Sequence, residues 1–459
     1  MLVCNMSVCF PFLFCLLCIF PAQAKRVSGS LYAYTKQPVT LSLFAGSSSI
    51  LLDSVITDVS GRFTLQYADT IRGMGFLSAP GYPMFLLVLD EDIELTGPEL
   101  TRTDSIYILK GTQNILLQQY ILEFPVREQA LSAWQFLSQQ YSLQKQFQGN
   151  KKQARIIRAE IDRIQIEEKN FYSSLSSQGY LGWFLPFRKK ISALSQIAQY
   201  RPQEVESTLV DLQRLDYSDN RLYYSGILKE SIENHLWFIE NTVNPLDSAF
   251  GQMKLVVDKL VRQLSSNESR LNEIAGFLSS FLEKRSLYPV SEHLSAILLG
   301  SEGCSLDTAT SARLTANQKM KVGNTAPDIV FAEHTYFPDS LHVSKLSEVK
   351  ARFYVVVFGS GWCDHCAREI PLLQNFYNEW KKKDVEIILV SLDTTPLAFA
   401  QFAASFPFIS TCDYKKWDSE PVRAYNVFAT PSYFILSSDL TILNRPASLA
   451  QLKSWFVNN

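Results

Sequence analysis

Two cysteines separated by two residues carry the chemistry that we predict for this chain. They lie in the segment Trp362-Cys363-Asp364-His365-Cys366. A dense apolar run at 353–358 precedes them and an amphipathic stretch at 367–380 follows, which indicates a strand, a tight turn and a helix. This context is typical of a redox-active dithiol rather than of an accidental pair.

The helix is predicted to begin at the cysteines, and their positions in its first turn give the two cysteines different roles. A helix N-terminus carries partial positive charge and free N–H donors, so it stabilises a thiolate and lowers the pKa of its thiol below the usual ~8.5. We therefore predict that Cys363 attacks and that Cys366, one turn along, closes the disulfide. Trp362, Asp364 and His365 are predicted to tune the pair. A protonated His365 favours the thiolate and Asp364 disfavours it, so the direction of the reaction stays open.

Composition narrows the function classes. The 459 residues are enough for about three domains, and 47% hydrophobic residues is ordinary for a globular protein. The net charge of −2 gives no sign of a nucleic-acid partner. The five histidines are scattered without metal-ligand spacing, so we expect no metal and no cofactor.

Residues 1–24 have the pattern of an export signal. The run Val8–Phe20 is apolar and uncharged, Pro21 ends it, and Ala22-Gln23-Ala24 is a small-residue cleavage site. The run is shorter than the ~20 residues that span a bilayer. We expect export to the periplasm with cleavage after Ala24, and an uncleaved membrane anchor is the alternative.

Export would leave only a few cysteines in the mature chain. Four of the eight cysteines lie in the signal, and Cys304, Cys363, Cys366 and Cys412 remain. Disulfides persist in exported proteins, but so few cysteines do not form a disulfide scaffold. The close pair is therefore predicted to serve disulfide exchange. Cys412 could resolve a disulfide, pair with Cys304, or remain a free, partly buried thiol.

Residues 25–112 are predicted to form a small antiparallel β-sandwich. Short runs of strand-forming residues alternate with polar or glycine turns, one of which is Asp58-Val59-Ser60-Gly61. The predicted strands are Leu31–Tyr34, Val39–Phe44, Leu51–Thr57, Arg62–Leu65, Ile93–Leu95 and Ile106–Ile108.

Residues 113–320 are predicted to be mostly α-helical, with a linker at the end. Apolar residues recur at helical spacing, which indicates helices that pack an apolar face in a bundle. His235 and His293 fall in these helices and are predicted to be surface or capping residues. The apolar positions are Ala154, Ile157, Ile161, Ile164 and Phe171, and then Val256, Leu260 and Leu264.

Residues 321–459 alternate strands and helices in the order of a βαβ unit followed by ββα, which is the layout of a thioredoxin fold. The fold class is therefore multi-domain, with an α/β thioredoxin fold at the C-terminus preceded by a β-sandwich and a helical region. The predicted elements after the dithiol are strands at 385–391, 432–436 and 441–443 and helices at 396–405 and 449–457.

Residues 322–459 resemble thioredoxin-fold proteins of the TlpA/ResA type. Five features match in order: the lead-in Gly323–Asp328, a Leu-Ser segment at 343–347, the Trp-Cys-x-x-Cys motif at 362–366, Glu369 with Pro371, and Thr430-Pro431. The upstream regions resemble the N-terminal extension of TlpA-like proteins exported by Bacteroidota.

The resemblance implies roles for two further residues. Glu369 would lie near the dithiol and shuttle protons for the buried Cys366. Pro431 would follow a cis peptide bond beside the dithiol and leave backbone groups free to pair with an extended substrate.

The resemblance also implies a thiol–disulfide oxidoreductase that reduces disulfides in exported proteins, with apocytochrome c as one candidate substrate. Its electrons would come from a membrane thiol donor. The alternatives are a disulfide oxidase or isomerase, a peroxiredoxin-like peroxidase, and a non-enzymatic binding protein. Gly359 and Ser360 are a poor match to the Thr-x-x-Cys site of a peroxidase.

Overall fold

The computed structural model describes residues 24–81, 83–100, 103–147, 149–175, 179–300, 306–338 and 342–458. The predicted signal, apart from Ala24, and Cys304 lie outside these residues. The chain divides into two compact units: one extends to Lys190 and includes Asn220–Gly226, and the other comprises Ile191–Asp219 and the chain from Ile227. Among the described helices, none is long and apolar enough to cross a membrane.

The first unit contains two four-stranded sheets with orders β4-β1-β7-β8 and β3-β2-β5-β6. Side chains from both sheets fill one core, so the predicted β-sandwich is confirmed. The sheets are antiparallel except where β1 pairs with β7. The strands are β1 Ala24–Leu31, β2 Pro38–Ala45, β3 Ser48–Ile56, β4 Arg62–Ala68, β5 Gly73–Ser78, β6 Phe85–Leu89, β7 Ile93–Gly97 and β8 Tyr107–Lys110.

One predicted strand of this unit is wrong, and two strands of the unit were not predicted. The predicted strand Leu31–Tyr34 is wrong, because β1 ends at Leu31; β1 pairs with β4 and β7 and buries Val27 and Leu31 in the core. Strands β5 and β6 were not predicted. In β5, Gly75 lies so close to β2 that a Cβ atom there would stand 2.6 Å from the Ser42 carbonyl oxygen. The close approach explains the glycine, and glycine hides the strand pattern.

Helices form the middle of the chain, as predicted. In α2, Ile157, Ile161 and Ile164 are buried on one face, whereas Ala154 is exposed, contrary to the pattern. The helices are α1 Thr112–Leu143, α2 Lys151–Ser174, α3 Tyr180–Ser192, α4 Leu194–Tyr200, α5 Val205–Gln213, α6 Asn220–Tyr223, α7 Leu228–Thr242, α8 Leu246–Leu264, α9 Glu268–Lys284, α10 Tyr288–Gly300 and α11 Thr308–Lys319.

The prediction that His235 is a surface or capping residue is wrong. His235 is buried, and its Nδ1 lies 2.6 Å from the Tyr217 hydroxyl in a hydrogen bond. On α7 it shares a face with the buried residues Ile232 and Ile239, three and four positions away. Burial lowers its pKa to about 4, so the ring is neutral. His293 is partly exposed, as predicted.

A five-stranded sheet of order β11-β10-β9-β12-β13 forms the centre of the C-terminal domain. β9, β10 and β11 are parallel, and β12 and β13 are antiparallel. Successive side chains of β9 enter opposite cores, because both faces of the sheet are covered. Burial on both faces explains why the sequence of β9 is a continuous apolar run instead of an alternating one. The strands are β9 Phe353–Gly359, β10 Val385–Ser391, β11 Ile409–Thr411, β12 Ser432–Ser437 and β13 Ile442–Asn444.

The predicted continuous helix over 367–380 is wrong in its middle. Helix α12 ends at Glu369, and a 3₁₀ turn over Ile370–Leu373 separates it from α13. Pro371 explains the break, since proline cannot donate the hydrogen bond of a helix interior. Strand β11 was missed because it has three residues. The remaining helices are α12 Asp364–Glu369, α13 Gln374–Lys382, α14 Pro396–Ala403, α15 Glu420–Ala424 and α16 Leu449–Asn458.

A buried ion pair ties α9 to the C-terminal domain within the second unit. An Nη of Arg445 lies 2.7 Å from Glu283, and both side chains are buried. The guanidinium also stacks 3.6 Å from the ring centre of Tyr288 on α10. Apart from Asn220–Gly226, the helical region from Ile191 onward belongs to the same compact unit as the thioredoxin-like sheet. The domain boundaries after residues 24, 112 and 320 remain predictions.

Candidate active site

Cys363 and Cys366 form a disulfide at the start of α12, with their Cα atoms 5.2 Å apart. The backbone N–H of Cys366 donates to Sγ of Cys363 at 3.2 Å, so Cys363 caps the helix. Cys366 is fully buried, whereas Cys363 is half-buried. One sulfur is thus open to a partner, and the other can be reached only from within the site.

The turn after β10 holds the loop that carries the dithiol. The buried carboxylate of Asp393 accepts a hydrogen bond from the Gly361 N–H at 3.1 Å and one from the Ser391 hydroxyl at 2.7 Å. The Leu392 carbonyl oxygen accepts a hydrogen bond from Trp362 Nε1 at 3.1 Å. These contacts fix the two residues immediately before Cys363.

Two glycines in this loop allow close packing against the dithiol. A Cβ on Gly359 would stand 2.2 Å from Cδ1 of Ile370 and 3.4 Å from Sγ of Cys366. A Cβ on Gly361 would stand 3.2 Å from Cβ of Phe402. The glycines bring the loop against α12 and α14.

Glu369 lies one turn after Cys366 and is half-buried. Its Oε2 accepts a hydrogen bond from the Tyr433 hydroxyl at 3.0 Å. Tyr433 is buried on β12 in the same core cluster as Cys366, and burial raises the pKa of its hydroxyl, so it remains a donor. The predicted carboxylate is thus on the same helix as Cys366, and the Tyr433 hydroxyl orients it.

The peptide bond between Thr430 and Pro431 is cis, as the resemblance implied. The Thr430 carbonyl oxygen lies 3.4 Å from Sγ of Cys363. The segment just before β12 therefore lies against the more accessible sulfur, where a substrate sulfur would have to approach.

The three predicted tuning residues are on the outer side of the site. Trp362, Asp364 and His365 are all exposed. The ammonium of Lys416 lies 4.6 Å from the ring centre of Trp362. The tuning roles remain predictions.

Cys412 is a free, buried thiol, which was one of the three alternatives. Its Sγ donates to the Asp393 carbonyl oxygen at 3.3 Å. Burial raises the pKa of the thiol, which keeps it protonated and unreactive. The predicted alternative of a disulfide with Cys304 falls outside the described residues.

Asp393, Tyr433 and Lys416 were not predicted as site residues. Asp393 follows the buried strand β10, and polar residues at the carboxyl ends of parallel strands are a recognisable signal. Tyr433 is two residues after Pro431, so it extends from the same face of the chain as that proline. Lys416 lies on a connection whose path only the tertiary structure defines.

Comparison with known proteins identifies the class of the C-terminal domain. Residues 351–442 match a family model described as thioredoxin-like. This part of the chain is a thioredoxin-like domain, and the predicted fold class is confirmed.

Two relatives of this domain are thiol–disulfide oxidoreductases named ResA. The Oceanobacillus iheyensis protein is 33% identical over 120 residues, which are 26% of this chain and 62% of the relative. The Geobacillus kaustophilus protein is 29% identical over 143 residues, 31% of this chain and 77% of the relative. The resemblance of the domain to TlpA/ResA-type proteins is thereby confirmed.

A solved structure described as a thioredoxin-like protein from Bacteroides caccae also aligns with this chain. It has 17% sequence identity and a TM-score of 0.39, and the alignment covers 56% of this chain and 93% of that chain.

Proposed function

We propose that this protein is a thiol–disulfide oxidoreductase that reduces disulfides in exported proteins. The observation that carries the proposal is the unequal exposure of the two sulfurs. Cys363 is accessible at the start of α12 and adjoins Thr430, whereas Cys366 is buried behind it. Disulfide exchange needs this difference in exposure. One sulfur must attack the substrate disulfide, and the other must react only with the mixed disulfide that forms.

The proposed reaction has two steps that transfer two electrons. The Cys363 thiolate attacks a substrate disulfide, forms a mixed disulfide and displaces one substrate sulfur, which takes up a proton. The Cys366 thiolate then attacks Sγ of Cys363 and displaces the second substrate sulfur. The substrate leaves as a dithiol, and the 363–366 disulfide is formed. Glu369 accepts the proton that Cys366 must lose, since a buried thiol has no water to take it.

The compartment and the electron donor are part of the proposal. The apolar run and the small-residue site in residues 1–24 support export to the periplasm. The resemblance to TlpA/ResA-type proteins supports a membrane thiol donor that reduces the 363–366 disulfide again. Apocytochrome c is one candidate among disulfide-bonded exported substrates.

Insulin reduction tests the proposed activity. With dithiothreitol as electron donor, the protein should accelerate insulin precipitation, and Cys363→Ala should abolish the acceleration. Cys412→Ala is the matched control and should retain it, because Cys412 is buried with a protonated thiol. Equal activity of wild type and Cys363→Ala would refute the proposal. Peroxide consumption that exceeds insulin reduction would favour the peroxidase alternative.

A further inference from the structure

Two indole rings form an exposed corner next to the dithiol. Trp362 is 46% exposed and Trp417 is 38% exposed. Their rings meet edge to face with centres 6.2 Å apart. Exposing apolar ring surface to water is unfavourable in free energy. Tryptophan is also enriched where proteins bind other chains.

The loop that carries Trp417 is held in place from both sides. Tyr414 and Lys416 have left-handed backbone conformations, with φ of 60° and 55°. The Asp413 carboxylate accepts a hydrogen bond from the Lys415 N–H at 3.1 Å. Tyr414 packs against Phe399, with ring centres 6.2 Å apart. These contacts fix the chain immediately before Trp417, and the Trp417 ring itself packs on Trp362.

The other wall of the corner is fixed equally well. Trp362 donates from Nε1 to the Leu392 carbonyl oxygen at 3.1 Å. The Lys416 ammonium lies 4.6 Å from the Trp362 ring centre, and this cation–π contact favours the observed ring position. The corner is thus formed before a substrate arrives, so binding costs little side-chain entropy.

We propose that Trp362 and Trp417 form a specificity pocket that selects polypeptide disulfides with an aromatic side chain next to the reacting cysteine. This inference rests on the proposed oxidoreductase function. Trp362 directly precedes Cys363, so a substrate joined to Cys363 places its neighbouring residue against the corner. Aromatic pairs prefer edge-to-face or offset-stacked contacts, and the exposed parts of the two indole rings offer a third ring a surface for such a contact.

Disulfide-linked peptide dimers test this preference with the full mature chain. The dimers differ only in the residue next to cysteine, which is Phe, Ala or Glu, and the readout is kcat/KM for their reduction. The wild type should reduce the Phe dimer about 10-fold faster than the Ala dimer, a difference equal to about 1.4 kcal/mol. Trp417→Ala should bring this ratio close to 1, and Trp417→Phe should restore most of it.

A matched control separates loss of the pocket from general damage. Tyr200→Ala removes a ring that is 74% exposed on α4 and should keep the wild-type ratio. A wild-type ratio near 1, a preference for the Glu dimer, or a full ratio in Trp417→Ala would overturn the pocket while leaving the proposed function intact. If the wild type reduces none of the dimers and does not reduce insulin, both the proposed function and the pocket are wrong.

Discussion

Replacement of Glu369 by glutamine should slow the second chemical step and spare the first. Cys366 is fully buried, and Glu369 is the carboxylate one turn along the same helix. Glutamine preserves the size of the side chain and can still accept the Tyr433 hydrogen bond, but it cannot accept the Cys366 proton. General base catalysis typically contributes 10²–10⁴-fold to a rate. We therefore expect the mixed disulfide to persist about 100-fold longer in Glu369→Gln.

Acid-quenched single-turnover experiments measure the two steps separately. The reduced protein is mixed with a disulfide peptide, quenched at set times and analysed by mass spectrometry without reductant. Formation of the mixed disulfide should change by less than about 3-fold, since Cys363 performs that step. Tyr433→Phe should slow resolution by about 10-fold, because a hydrogen bond to a charged group is worth about 1.5–3 kcal/mol and part of it orients the base.

Glu379→Gln is the matched control for this experiment. Glu379 lies on α13 and is exposed, so its replacement should leave both rates at the wild-type values. An unchanged mixed-disulfide lifetime in Glu369→Gln would refute the role of Glu369 as proton acceptor. An equal slowing of both steps would show instead that Glu369 acts on Cys363.

Three further predictions concern groups that the fold buries. Asp393→Ala should cost about 1–3 kcal/mol of unfolding free energy in urea titration, because it leaves the buried Ser391 hydroxyl without its acceptor, whereas Asp393→Asn should cost less. His235 has a pKa of about 4 in the folded chain, against 6.5 as its ordinary value. Between these two pH values the unfolded chain therefore binds more protons than the folded chain. The free energy of unfolding should fall by about 3 kcal/mol as the pH drops from above 6.5 to 4. His235→Asn should remove this loss. Glu283→Ala should cost about 3–5 kcal/mol, because the Arg445 charge stays buried without its partner.

Each of these predictions has a clear contradicting result. Equal stability of Asp393→Ala and the wild type would mean that water replaces the lost acceptor. The same pH slope in His235→Asn and the wild type would assign the slope to other groups. If Glu283→Ala with Arg445→Met is no more stable than Glu283→Ala alone, the stranded charge does not cause the loss.

The site was predicted best where the reactive residues lie next to a recognisable strand or helix pattern in the sequence. The Cys363–Cys366 disulfide and the buried strand before it were predicted from the residues, and the cis Thr430–Pro431 bond from the family resemblance. The interruption of the predicted 367–380 helix at Pro371 was not predicted, although proline in a helix interior is known to break a helix. Local pattern thus predicted the main elements of the C-terminal domain but not their exact ends.

Other parts depend on contacts that are distant in the sequence. Tyr433 is 64 residues from Glu369, and nothing near either residue indicates their hydrogen bond. His235 lies on an apolar helix face, but its burial depends on Tyr217 as a partner outside α7. The position of Trp417 beside Trp362 depends on the path of the loop after β11. Pattern alone could not pair these residues.

In the proposed function, Cys363 exchanges disulfides with other proteins. This exchange is tested most directly by trapping with Cys366→Ala in the cells that produce the protein, followed by mass spectrometry of mixed disulfides. We expect exported partner proteins joined through Cys363, and their loss when Cys363 is also replaced by alanine. Recovery of no partner above background, or of partners joined through Cys412, would contradict it.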